Sequence, residues 1–197
     1  VDMYYIVGLG NPGEEYENTR HNAGRLVLAP FLKQNNFPEL TWIKKTKALE
    51  SVAKVGTDKV TVIFPETYMN KSGASLISHI TSTKKAHNLV VVYDDLDLPL
   101  GTIKISYNRS SGGHRGVESI IRVLKTQEFI RIRIGISLKT PSGKLKKPKG
   151  EADVETWIIG EFKPKEKEVI QKMGKTVATA LSTILELGYE RAMTDCN

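Results

Sequence analysis

Histidine is the side chain best suited to moving a proton near neutral pH, and this 197-residue sequence has four. One of them, His21, sits in Thr19-Arg20-His21-Asn22-Ala23-Gly24, between a polar stretch and the start of a helix. There it suits either general-base work or a structural hydrogen bond. Further on, Thr67-Tyr68-Met69-Asn70-Lys71-Ser72-Gly73 puts an amide just before a predicted helix, as a plain N-cap or as a ligand for a substrate carbonyl. Three carboxylates, Asp94, Asp95 and Asp97, follow the apolar run Val90-Val91-Val92-Tyr93. Three acids can signal a metal. With no His or Cys at ligand spacing beside them, Asp94 reads better as the group that orients an imidazole. Ser110-Ser111-Gly112-Gly113-His114-Arg115-Gly116 is a glycine-rich turn into a helix, where backbone can approach an anion.

Gly8-Leu9-Gly10-Asn11-Pro12-Gly13 also satisfies the dinucleotide pattern G-x-G-x-x-G, but its surroundings argue against that use. A helix should open within the motif to receive a pyrophosphate. Instead Glu14-Glu15-Tyr16-Glu17-Asn18-Thr19-Arg20 follows, and its acids would repel phosphate. Nor is there a strand ending in an acid about 20 residues on to hold a ribose, since the segment around Leu26–Leu32 reads as helix.

These groups need a scaffold. Strand-like runs rich in β-branched residues are Tyr4–Leu9, Leu49–Val55, Val60–Phe64, Leu89–Tyr93, Thr102–Tyr107 and Ile130–Ser137. Helical periodicity marks Gly24–Asn35, Ser72–Ser82, Gly116–Lys125 and Pro164–Leu187, the last bracketed by Pro164 and Gly188. Interleaved strands and helices predict an α/β fold: a single-domain three-layer α/β/α sandwich with a twisted mixed β-sheet. In such sheets ligands bind beyond the carboxyl ends of the strands, where Asp94 falls.

The net charge of +7 and pI near 9.4 point to a polyanionic partner. Lys139, Lys144, Lys146, Lys147 and Lys149 share one Pro- and Gly-containing segment, KTPSGKLKKPKG, without an acid, which reads as a phosphate-facing loop. No apolar run is long enough to span a membrane, and the sequence enters a strand at once with no basic, cleavable leader. Cys196 is the only cysteine, so neither a disulfide framework nor a Cys-based metal site is expected. A cytoplasmic or organelle-matrix enzyme fits.

In this order, GLGNPG-x-x-Y-x-x-TRHNAG, YMN-x-SG, DDLDLP and GGH-x-G resemble the bacterial-type peptidyl-tRNA hydrolase family, over one domain from Met3 to about Ala192. The resemblance implies a cytoplasmic monomer without metal or cofactor that hydrolyses the ester between a peptide and the 3′ ribose of tRNA. His21 then matches the catalytic histidine and Asp94 the carboxylate that holds it. Asn11 matches the asparagine that separates peptidyl- from aminoacyl-tRNA, and Asn70 one that orients the substrate. Tyr16 and Tyr68 match aromatic contacts near the acceptor end, Tyr68 standing where phenylalanine is often found. Arg133 resembles a contact to the 5′ phosphate. The lysine that helps it in some members falls at Ser106, leaving Lys104 or Arg109 as substitutes. Arg115 departs from the pattern GGHNG, either by neutral drift on a surface turn or to answer an anion, a nearby carboxylate or a tRNA phosphate. An RNA-binding protein that kept the fold but not turnover is the alternative, and Arg115 is its main support. Within the first reading, direct attack by water is expected, since no motif presents an activated Ser or Cys.

Overall fold

Val60–Phe64 and Leu89–Tyr93 are apolar at nearly every position, so strands built from them need cover on both faces. The computed structural model, which describes residues 2–197, supplies that cover. In chain order its elements are β1 (Met3–Gly8), α1 (Ala23–Leu26), α2 (Ala29–Gln34), β2 (Thr41–Ile43), β3 (Ala48–Val55) and β4 (Asp58–Pro65). Then come α3 (Thr83–Ala86), β5 (Leu89–Pro99), β6 (Ile103–Tyr107), α4 (Arg115–Leu124), β7 (Ile130–Lys139) and β8 (Leu145–Lys146). The chain closes with α5 (Glu151–Ile159), α6 (Pro164–Leu187) and α7 (Tyr189–Cys196). Tight 3-10 turns occupy Glu14–Tyr16, Arg20–Asn22 and Met69–Leu76.

The strands form one mixed sheet in the order β2-β3-β4-β1-β5-β7-β6, with β8 paired to the end of β7. The central strands β4, β1, β5 and β7 run parallel; β3 and β6 flank them antiparallel. Alternation splits the core into two. Ile6, Val90, Val92, Ile132 and Ile134 face the layer of α1, α2, α6 and α7. Tyr5, Val7, Leu89, Val91 and Tyr93 face the Met69–Leu76 segment and α4. The three-layer α/β/α sandwich is therefore present as expected.

Local departures have local causes. The helix expected over Gly24–Asn35 is two, α1 and α2, because Pro30 has no N–H to give the carbonyl of Leu26. The helix expected over Ser72–Ser82 is a 3-10 segment ending at Leu76. There Gly73 lies flush on α4: its N–H donates to Ser119 Oγ at 3.0 Å, and a Cβ would meet the Ser119 carbonyl at 2.5 Å. The lysine segment is not simply a loop. Leu138 and Lys139 pair with Lys146 and Leu145 in a hairpin, and Lys147 is paired with Asp97, so the cluster is not free of counter-charge.

Gly24 brings α1 against the sheet, since a Cβ there would meet the Val92 carbonyl at 2.1 Å. The chain just before α1 is thereby pressed onto the end of β5. Beyond it lies α5, which has no buried residue of its own.

Candidate active site

Gly8 and Val92 are register partners, so the loop after β1 and the end of β5 leave the sheet side by side. From the first comes His21, in a 3-10 turn; from the second, Asp94. Both are buried, and His21 Nδ1 lies 3.0 and 2.9 Å from the two Asp94 carboxylate oxygens. An ionised carboxylate only accepts, so Nδ1 carries the proton and the Nε2 lone pair is left free.

A second imidazole completes the group. His114 Nε2 donates to Asp94 Oδ1 at 2.9 Å, while its Nδ1 accepts from the backbone N–H groups of Gly116 and Val117 at 3.1 and 3.3 Å. The ring thus caps α4, and the cap fixes the tautomer that points an N–H at Asp94. Gly112 and Gly113, at φ 59° and 85°, make the turn that delivers it. Burial opposes ionisation of Asp94, but the charge and hydrogen bonds of His21 and His114 outweigh it and hold the carboxyl well below the usual range.

These three residues are also the cluster, among the described residues, whose ligand atoms lie close enough to hold an ion, all within 4.8 Å of one another. Binding one would require both ring N–H groups to give up their protons to a carboxylate they already satisfy. The other two acids point elsewhere. Asp95 accepts from Arg133 Nε at 2.7 Å, and Asp97 holds Lys147. The three carboxylates are therefore dispersed, not gathered as ligands.

Asn11 is fixed twice over. Its backbone N–H and carbonyl pair with the amide of Asn22 at 2.9 and 3.0 Å, and its Oδ1 accepts from Met69 N–H at 2.9 Å. The Nδ2 donor is what remains for the cleft. Asn22 is the residue the sequence did not reveal; beside a helix start it resembles a cap, yet it makes no cap bond and ties two loops together. Asn70 is exposed and makes no cap bond either, so its amide is available.

A cleft of about 800 Å³ opens above the triad. Asn11, Tyr16, His21, Tyr68, Asn70, Asp94, Arg115 and Arg133 all line it, so the structure gathers every candidate in one place. Tyr68 is 63% exposed on the rim, and Val154 and Ile158 of α5 form the facing wall. Of the two substitutes for the missing lysine, Arg109 lines the cleft and Lys104 does not. Arg133 is nearly buried, its Nε on Asp95 and its Nη1 on Ser106 at 3.3 Å. Arg115 pairs with Glu151, the first residue of α5, at 2.7 Å. A carboxylate thus answers this cation.

The motif Gly8–Gly13 does not open a helix but a three-residue 3-10 turn at Glu14–Tyr16, so it offers no helix N-terminus for a pyrophosphate. Arg20 anchors the His21 turn instead. It donates to Glu166 at 3.0 Å and to the Trp157 carbonyl at 3.3 Å, and its guanidinium lies 3.7 Å from the Trp157 ring centroid.

A mixed sheet with a buried His–Asp pair above the ends of β1 and β5, opening on a cleft with amide donors, suits hydrolysis of an activated carbonyl by a general base. Comparison with known proteins is narrower. The sequence model of the peptidyl-tRNA hydrolase family matches residues 5–197, and the chain belongs to that family. It is 40% identical to the peptidyl-tRNA hydrolase of Aquifex aeolicus over 100% of this chain and 97% of the relative. To that of Carboxydothermus hydrogenoformans it is 40% identical, covering 99% and 98%. The crystal structure of the Acinetobacter baumannii enzyme superposes with a TM-score of 0.87 at 26% identity, over 99% of this chain and 94% of that one.

Proposed function

We propose that the protein hydrolyses the ester between a peptide and the 3′ ribose of tRNA by water activated at His21. The observation that carries this mechanism is the His21 ring, tied through Nδ1 to a buried carboxylate and open at Nε2 to the cleft. Nε2 takes a proton from water as the water oxygen bonds to the ester carbonyl carbon. Asp94 stabilises the imidazolium so formed. Asn11 Nδ2 and the Asn70 amide donate to substrate carbonyls or to the developing oxyanion. Collapse of the tetrahedral intermediate breaks the bond to the ribose oxygen, which leaves with the proton held by His21. Cys196 lies on α7 and not in the cleft, and Ser111 Oγ accepts from Gly113 N–H, so neither favours a covalent intermediate.

The rim supplies the cations for RNA. Lys71, Arg109, Arg115 and Lys147 line the opening, while Tyr16 and Tyr68 offer rings to the acceptor end. Arg133 has Nη2 left for the 5′ phosphate once Asp95 and Ser106 are served. Such a substrate fits a cytoplasmic enzyme. All the groups come from one chain, so a monomer suffices; among the described residues no helix is long and apolar enough to cross a membrane.

Release of an N-blocked aminoacyl group from tRNA by the purified protein tests the reading. His21→Ala is expected to lower kcat roughly 10²- to 10⁴-fold while tRNA binding, dominated by phosphates, barely changes. Near-normal turnover in that variant would show the mechanism to be wrong.

A further inference from the structure

Strand β7 turns its isoleucines, Ile130, Ile132, Ile134 and Ile136, toward the α6 layer, and the residues between them face the other way. One of those is Arg131. It is 0% exposed, the largest fully buried side chain in the protein, and among the described residues no carboxylate lies within ion-pair distance of it. A buried cation without a counter-charge is strongly unfavourable, so its surroundings must give a reason for it. Its two terminal nitrogens donate to main-chain oxygens, while Nε is buried without a partner. Nη1 donates to the Ser110 carbonyl at 3.3 Å; Nη2 donates to the carbonyls of Arg109 and, at 3.4 Å, Gln127. Its guanidinium carbon lies 4.0 Å from the Phe129 ring centroid, and the Tyr93 hydroxyl is beside it. Both contacts lead to one place. Arg109 and Ser110 begin the turn that ends at His114, and the Tyr93 ring packs edge-on against the His114 ring, with centroids 5.0 Å apart.

We propose that Arg131 is a positioning residue for the reaction: its fork of N–H donors clamps the Arg109–Gly113 turn and so sets His114 against Asp94. An apolar side chain would fill the space at lower cost but could not hold two successive carbonyls. The inference rests on the hydrolase reading for its kinetic consequence and on geometry alone for its structural one.

Arg131→Met keeps length and removes every donor. In ring-¹⁵N spectra the parent should show His114 protonated at Nε2 with a slowly exchanging proton, and Arg131→Met should lose that protection. On N-blocked aminoacyl-tRNA, kcat should fall by up to roughly 10²-fold, the scale of a reacting geometry displaced by about 1 Å, with KM within about twofold because the phosphate contacts remain. His114→Ala should lower kcat similarly, and adding Arg131→Met to it should lower kcat no further. Arg131→Lys, which keeps the charge but not the fork, should lie between parent and Met in both readouts, and serves if the Met variant does not fold. Parent-like His114 signals and kcat in either folded variant would overturn the proposal. So would a fall in kcat with the His114 signals unchanged, or a double variant reduced by the product of the two single effects. If the parent itself released nothing from the substrate, the hydrolase reading would fail, and the ring spectra would still decide the role of Arg131.

Discussion

Asp94 receives an N–H from each of two imidazoles, and among the described residues these are its only polar side-chain partners. Because folding favours its ionised form, the stability it contributes is complete above the ordinary value of 3.8 and drains away only as pH falls through the lower value it holds here. The carboxyl carbon of Asp94, followed by NMR, should therefore keep the shift of an ionised carboxylate down to about pH 4; the shift of a protonated carboxyl above that would mean that the two rings do not grip it. Asn11 gives a second test. Losing its Nδ2 donor should cost about one neutral hydrogen bond, roughly 3- to 10-fold in kcat/KM on peptidyl-tRNA, and narrow the advantage over aminoacyl-tRNA. Asn11→Asp is the informative partner to Asn11→Ala, since it keeps the oxygen that accepts from Met69. An unchanged substrate ratio in both variants would remove Asn11 from selection. His21, Asp94 and Asn11 were legible in the sequence because each sits in a distinctive motif. Asn22, His114 and Arg131 were not, because their partners include main-chain groups of other turns, and side-chain type says little about which carbonyl or amide will fold beside it.

The element most exposed to question is α5. Glycine at its N-cap, φ 81°, offers no side-chain cap bond, and Arg115–Glu151 holds that end from the surface. Both side chains are more than half exposed, so the pair is worth at most about 1 kcal/mol and is readily exchanged for a phosphate. Arg115→Asn should leave kcat within a few fold and raise KM, most visibly at low salt; Glu151→Gln, which frees the cation, should lower KM under the same conditions. Steady-state kinetics at two salt concentrations checks both. A KM flat in both variants would make the pair surface decoration. Sequence periodicity located α6 to the residue, Pro164 and Gly188 marking its ends. It missed α5, although Val154, Trp157 and Ile158 have helical spacing, because the segment follows the lysine hairpin without a capping side chain. It also missed β2 and β8, three and two residues long, which exist only by pairing with a neighbour.

Across the whole molecule a net charge of +7 lies behind the cationic rim of the cleft. Changing Lys144, Lys146 and Lys147 to Ala together should flatten the salt dependence of tRNA binding by about 0.7–0.9 for each phosphate no longer neutralised. Lys147 already has Asp97, so a smaller change than three neutralised phosphates would give is expected. A slope equal to the parent's would place the hairpin outside the RNA interface. The layered architecture was legible as a whole because apolar strand runs demand cover on both sides, whereas the depth of each charge in that fold was not: Arg131 and Arg133 share a strand pattern with surface lysines and end up buried. The reach of Arg20 adds something of a different kind. The turn bearing His21 is made early in synthesis, yet it is clamped by Trp157 and Glu166, far later in the chain. While a copy is still being translated it is itself a peptide esterified to tRNA. A nascent chain that has not yet reached Trp157 lacks both contacts that hold the His21 turn.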